Sequence, residues 1–486
     1  MKNRSFAKII VCAVLCAMTC SLTSCLPFFL KLTENVKIFE FVEVEGGYEV
    51  RGAFDYDTTN EDSKPENAIN RTLEFIKTYS KNLVLDIPSE YNGKPVVSIA
   101  EEAFKFYAVY RVNIPDTVKV IGDGAFMGCI LMIQCDIPSS VTQIGEKAFM
   151  GCQCLRNIVI PEGVTTIGDY AFWGTMRDKS VPPKQFEKEI DIDLDNYCSE
   201  VVISKTVTNI GAGAFSLMDF LTNIKVDEEN QNYKSIDGNL YSNDEKTLIQ
   251  YAPGKIEESF TVPECVTEIG TCAFSGCLNL KNITIPNHVK KIGGAAFRFM
   301  SSDLILDFGE EDPSFKIVDD ILYNSDGSVL VMSFNSTPNL NFTVPDSVVN
   351  IEHMAFYDHD NLVSITFGEN SQLGRVGKEA FYDCDSIESI AFPQKVKSIS
   401  DSAIADCDKL ETCYINSPDA VLGSKLWDWS LLLHEFYYAG TVDQMKEYLD
   451  REFFNFESSV RFVINCSDGI ILMTLDEYKV FYISVT

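Results

Sequence analysis

One phrase, Val-x-x-Ile-Gly-x-x-Ala-Phe, recurs along this chain in a single phase, and that phasing restricts the fold more than any other feature. The aromatic column reads Phe104, Phe126, Phe149, Phe172, Phe215, Phe274, Phe297, Phe356, Phe381 and then Ile404. Ala precedes it in all ten copies, an aliphatic residue stands five positions before it (Ile99 in the first copy, Ile399 in the last), and another stands three before that (Val96, Val396). Successive members of the aromatic column are 22, 23, 23, 43, 59, 23, 59, 25 and 23 residues apart. The unit is therefore about 23 residues, with three insertions. One such unit cannot bury its own apolar side chains, but stacked units can, each column lying on its copies above and below.

The expected fold is a mainly β repeat solenoid of about ten coils, with short helical or 3-10 turns. A 23-residue period lies in the leucine-rich-repeat range. In the coil "LRNIVIP", Ile158 and Ile160 point inward and Val159 outward at the strand period of two, and Pro161 ends the strand. "GEKAFMG" is expected to make one tight helical or 3-10 turn, with Gly145 permitting a sharp corner.

The string "IPSSVTQIGEKAFMGC" resembles the BspA-like (Treponema pallidum type) leucine-rich repeats of bacterial surface proteins, and the resemblance covers about residues 86–416. It implies a leucine-rich-repeat horseshoe, a secreted or surface-attached location, and a part in adhesion to host matrix proteins or other cells.

The start of the chain points outside the cytoplasm. Lys2, Arg4 and Lys8 precede a short apolar run, and Leu22-Thr23-Ser24-Cys25 resembles a lipoprotein signal, so residues 1–24 are expected to be removed and Cys25 acylated. No second apolar stretch offers a transmembrane alternative, which leaves the lipid anchor as the only membrane contact. The formal charge of −31 becomes −34 without the three basic residues of that segment, and such a chain repels nucleic acid.

Around the repeats, residues 25–85 read as an N-terminal hairpin cap about Gly46-Gly47 followed by a polar linker, and residues 417–486 as a C-terminal capping module. The latter contains a capping box at Thr441-x-x-Gln444, and Trp427 and Trp429 are expected to pack within it. The two 59-residue steps carry matching insertions near 227–261 and 309–343. Each has Asp-x-x-Leu-Tyr, a polar turn and a second apolar run, and each is expected to project as a β-hairpin. Their Asp and Asn residues lack the spacing of a calcium loop and suit turns.

Chemistry is sought first among the cysteines. Cys129, Cys152, Cys277, Cys384 and Cys407 share one column three residues after the aromatic one, where Thr and Met also occur, so they are expected to be free buried thiols. Cys152 with Cys154, or Cys272 with Cys277, is a poor match to a zinc site. His353 and His359 flank one coil as a surface pair without a carboxylate partner, and no hydrolase, metalloprotease or phosphate-loop motif occurs. No catalysis and no cofactor are expected. Function then falls to the exposed strand positions Asn113, Asp136, Val159, Lys225, Thr284, Thr366, Ala391 and Tyr414, expected to line a concave face that binds a protein partner. The expected molecule is a monomeric, adhesin-like surface protein. An envelope protein that binds glycan or peptidoglycan, or acts as a spacer, is the alternative, and a metal-dependent hydrolase hidden in the insertions is a third reading.

Overall fold

The computed structural model describes residues 39–52, 84–107, 109, 111–130, 132–155, 158–175, 199–309, 313–334, 340–427, 430, 432–449, 462–474 and 479–483. Residues 1–24, expected to be a signal segment, Cys25, most of the expected polar linker and Trp429 lie outside them. Two compact units result, the first holding the described residues up to Phe260 with Cys272–Lys281 and Phe299–Leu304, the second Thr261–Thr271, Asn282–Arg298 and the described residues from Ile305 onward.

Each coil of the first unit lays down two short strands and a turn. The strands Val120–Ile121, Gln143–Ile144, Thr166–Ile167 and Asn209–Ile210 pair in parallel, Ile on Ile. On another side of the coil, Ile158–Ile160, Glu200–Ile203 and Asn223–Val226 form a second parallel stack. Between the stacks the predicted columns pile up in register. Phe104, Phe126, Phe149, Phe172 and Phe215 lie nearly parallel with centroids 5.5, 5.3, 5.2 and 5.8 Å apart. Val118, Val141, Val164 and the matching Ile and Ala columns are buried beside them. In the second unit Phe356 stacks on Phe381 at 5.2 Å, and strands Asn350–Ile351, Arg375–Val376, Ser398–Ile399 and Val421–Leu422 repeat the Ile rungs. The solenoid has about 14 turns among the described residues, more than the ten motif copies. The difference arises because rungs such as Val50, Leu248, Leu330 and Leu422 are buried without carrying the motif.

The turn after each Ile-Gly differs from the expected helical or 3-10 segment. Ala125, Met127 and Cys129 donate i→i−3 bonds to Gly122, Gly124 and Phe126, whereas the alternate residues Gly124, Phe126 and Gly128 donate to Glu146, Ala148 and Met150 of the next coil at 2.7–2.8 Å. Two residues per turn sit at positive φ, as Gly124 (59°) and Gly128 (69°), then Lys147 (56°) and Gly151 (71°). That geometry prevents a continuous helix and aims every second N–H at a neighbour. A non-glycine residue such as Lys147 costs about 1–2 kcal/mol there, and the inter-coil bonds offset it.

The role expected of Gly145 is also corrected. It is absent from the positive-φ residues, and what demands glycine is proximity: a Cβ there would lie 2.4 Å from Asp123 Oδ1 and 2.6 Å from the Asp123 nitrogen and the Gly122 carbonyl carbon. Gly168, Gly211, Gly293, Gly377 and Gly423 meet the backbone of the preceding coil at 2.3–2.4 Å in the same way.

The insertions do form hairpins, Tyr233–Ile236 with Asn239–Ser242 and Phe315–Val318 with Ile321–Asn324. They do not simply project, because a third strand in each returns to the solenoid. In the first unit, Tyr251 follows strand Thr247–Gln250, stacks on Phe274 at 5.6 Å, and donates its N–H to Ala273 as an aromatic-column residue does. In the second, Val329–Ser333 runs parallel to Asn350–Ile351 with Leu330 opposite Ile351. The polar turns are closed by their own side chains, Asp244 accepting from Ser242 and Lys246 N, Asp326 from Ser328 N.

The ends are sealed by different means. Strands Phe39–Val44 and Gly47–Gly52 form a hairpin about Gly46, the second strand pairs with Lys94–Ile99, and Phe39 meets Phe104 edge-on at 6.1 Å. At the other end Trp427 is buried against Phe436 and Tyr448, 4.5 and 5.5 Å away. Tyr448 lies on the helix Val442–Leu449, where the Thr441 and Gln444 side chains each accept the other's N–H at 3.3 and 2.7 Å.

Replacing Gly168 with Ala should destabilise the protein by about 2–4 kcal/mol, since the obstructing atoms are backbone and the coils must separate. Gly93→Ala, at φ +77° with nothing within 4 Å, should cost only about 1 kcal/mol. Equilibrium unfolding of the two variants checks the difference.

Candidate functional site

Inside the coils the reactive residue types are occupied. Cys129, Cys152, Cys384 and Cys407 are free, and each donates its S–H to the aromatic-column carbonyl of a preceding coil, Phe104, Phe126, Phe356 and Phe381, at 3.0–3.2 Å. Burial pushes the thiols of Cys152, Cys277, Cys384 and Cys407 far above the usual range, so these sulfurs stay neutral and are neither nucleophiles nor metal-ready thiolates. No group of three or more His, Cys, Asp or Glu able to hold a metal occurs among the described residues.

His359 was expected on the surface beside His353. It is fully buried instead, its Nε2 2.8 Å from Ser333 Oγ and its ring 5.8 Å from Phe356. The partner, Ser333, ends the third strand of the insertion, which could not be paired with His359 from spacing alone. Burial, assisted by the Arg298 guanidinium, lowers the imidazole pKa to about 4, with Asp320 acting weakly the other way. Arg298 is itself buried, donating to the Asp358 carbonyl with the Asp358 carboxylate 3.8 Å away.

The predicted surface positions all lie at outward points of the strand stacks. In the first unit, strands Val84–Asp86, Arg111–Asn113 and Gln134–Asp136 align Asp86, Asn113 and Asp136, and the following strands align Val159, Val202 and Lys225 at the same repeat position. Val159 is 53 % exposed between buried Ile158 and Ile160. The polar residues of these two three-strand stacks are tied to one another. Asn113 Nδ2 donates to Asp86 at 2.5 Å and Gln134 to Asp136 at 2.7 Å, while Asn223 and Lys225 reach Glu200 at 2.8 and 2.7 Å.

In the second unit, Thr284 stands opposite Asp307. Further along, Thr343 is opposite Thr366, and Ala391 opposite Tyr414, which is opposite Tyr437. The outward column beside these holds Asn341 and Ser364, then Ser389, Thr412 and Glu435. Tyr414 and Tyr437 stack at 4.5 Å and 10°, and the Tyr437 hydroxyl donates to Glu435 at 3.0 Å. Thr343 and Thr366 share a hydroxyl bond of 2.8 Å, and Ser364 donates to Asn341 at 2.7 Å. The sequence showed the column but not its aromatic step, because Tyr437 lies beyond the last motif copy.

Columns stacked in register, a parallel Ile rung per coil and a sealed end at either side define a leucine-rich-repeat solenoid. The BspA type leucine rich repeat region matches residues 85–194, 194–257, 250–310 and 330–456, and the chain belongs to that family. Solved structures of similar proteins include a leucine-rich repeat protein from Bacteroides ovatus, with 21 % identity over 89 % of this chain and 100 % of that one and a TM-score of 0.35. The pneumococcal vaccine antigen PcpA shows 17 % identity over 88 % of this chain and 82 % of its own, with a TM-score of 0.34. A leucine rich cell surface protein from Faecalibacterium prausnitzii shows 20 % over 86 % and 97 %, with a TM-score of 0.30. No curated protein matches the chain.

His359 gives a pH signature. Its pKa is about 6.5 in the unfolded chain and about 4 when folded, so its contribution is complete above pH 6.5 and is lost as pH falls toward 4. Between pH 7.5 and 5 denaturant unfolding should show a loss of about 2 kcal/mol that His359→Gln removes from the pH profile.

Proposed function

We propose that this chain is a non-enzymatic bacterial surface protein, held to the membrane by an acyl group on Cys25, that binds another protein through the outward strand face of the first unit. The observation that carries this reading is Val159, half exposed on the edge strand of a three-strand ladder with Val202 opposite it, in a unit whose outward polar residues are paired with one another. An apolar centre with an ordered polar rim is the anatomy of a protein interface, and pre-ordered side chains lose little entropy on docking. Asn113, Asp136 and Lys225 form the rim, and Val202 extends the centre. The interior thiols and His359 are committed to packing, which supports a binding role over a catalytic one.

The test is binding of the full chain to purified host matrix proteins by surface plasmon resonance. At least one should bind, and Val159→Asp should weaken it about ten-fold or more with the unfolding midpoint unchanged. Binding that ignores Val159→Asp combined with Val202→Asp, or no binding at all, would refute the reading. Anchoring is checked separately: Cys25→Ser should release the protein from membranes, and continued membrane attachment would rule out the acyl anchor.

A further inference from the structure

We propose that the second unit carries a separate site for a neutral, hydroxyl-rich oligosaccharide, built on the free face of Tyr414 above Ala391. The strand order fixes the geometry. Tyr437 covers one face of the Tyr414 ring at 4.5 Å, and the other face looks along the stack toward the strand of Ala391, where the side chain is only a methyl group. A two-ring step therefore stands at the edge of a floor of small side chains, and the next stacking layer over Ala391 is open to a ligand ring. Tyr414 is 37 % exposed and Ala391 is exposed.

The chemistry of the floor selects the occupant. A pyranose presents C–H groups on its faces, which suit the electron-rich face of an aromatic ring, and hydroxyls on its rim, which need hydrogen-bonding partners. Thr366, Ser389 and Thr412 offer hydroxyls on that floor, and the Glu435 carboxylate stands next to Tyr437. Glu435 is the one charged side chain among the outward positions from Asn341 to Tyr437 described above, in a chain of net charge −31. An acidic polymer would be repelled by the chain as a whole, and within the two columns a basic peptide would find one carboxylate, Glu435, already accepting a hydrogen bond, with the exposed Glu388 and Glu411 lying outside the columns just before Ser389 and Thr412. A ligand without charge satisfies both conditions. This site is independent of the protein-binding reading, which concerns the other unit and a face rich in Asp, Glu and Lys.

Affinity electrophoresis of the full chain through native gels containing laminarin, mannan or hydroxyethylcellulose tests the site. At least one polymer should retard the protein. Tyr414→Ala should weaken retardation about ten-fold, Ala391→Tyr should abolish it by filling the open layer, and Tyr414→Phe should preserve it because stacking survives. All three substitutions are at exposed positions, and an unchanged unfolding midpoint establishes that the fold is kept. The proposal fails if no polymer retards the protein, if Tyr414→Ala and Ala391→Tyr are retarded like the parent, or if only a hexalysine peptide binds in a Tyr414-dependent way. Matrix-protein binding should be unchanged in the Tyr414 and Ala391 variants, so loss of either activity is read separately.

Discussion

Close approach of neighbouring coils is the constraint on which the rest of this molecule depends. At the glycines that follow a rung in seven coils, from Gly122 to Gly423, the preceding coil passes within 2.3–2.7 Å of where a Cβ would stand. That contact brings the alternate N–H groups of the turn within 2.7–3.3 Å of the next coil's carbonyls and the phenyl rings to just over 5 Å. Wider spacing would open voids between the rings and leave buried N–H groups unpaired, two penalties that recur in every coil. The positive-φ residues follow from the same requirement, since local strain is accepted where it turns a donor toward a neighbour.

A stack held this way is indifferent to what it carries outside. Each strand gives its inward positions to the core and its outward positions to solvent, so Val159, Ala391 and Tyr414 contribute little to the columns within. The outward face of the first unit is accordingly free to hold hydrogen-bonded and ion-paired polar residues and an exposed Val159, and that of the second two uncharged columns that end in an aromatic step. Stacking then multiplies whatever is placed there. Residues one repeat apart in sequence come to lie on adjacent strands, as the stacked Tyr414 and Tyr437 do.

Much of the interior was legible in the sequence, because burial is periodic and periodicity is visible in a string of letters. The aromatic, Ala and Ile columns, the outward position of Val159 and the capping box at Thr441 all follow from spacing and propensity alone. Three features were not legible, each for a physical reason. Gly145 has two possible causes, conformational freedom and proximity, and only coordinates separate them. The third strand of each insertion enters the ladder with Leu248 or Leu330 but lacks the Gly-x-x-Ala-Phe phrase that marks a coil. His359 occupies the thiol column of its coil, and its burial rests on a hydroxyl 26 residues earlier, in a strand that spacing did not assign to the solenoid. Long-range polar pairs leave no period in the sequence.

The distribution of charge is the last consequence of this architecture. In a globular domain a patch of surface inherits its composition partly from packing needs beneath it, whereas here the core demands only every second residue of a strand. The outward residues of Leu340–Val344, Leu362–Phe367, Ser389–Phe392 and Thr412–Ile415 are therefore unconstrained by the interior. In a chain with 71 acidic residues, those four strands nonetheless place only Asn, Thr, Ser, Ala and Tyr at the outward positions of the two aligned columns. Solubility alone would favour carboxylates at such positions, as the strands Val84–Asp86 and Gln134–Asp136 illustrate. The two columns are thus uncharged along those four strands while Glu388 and Glu411 stand exposed at their edge, an arrangement that suits an uncharged ligand lying along the columns.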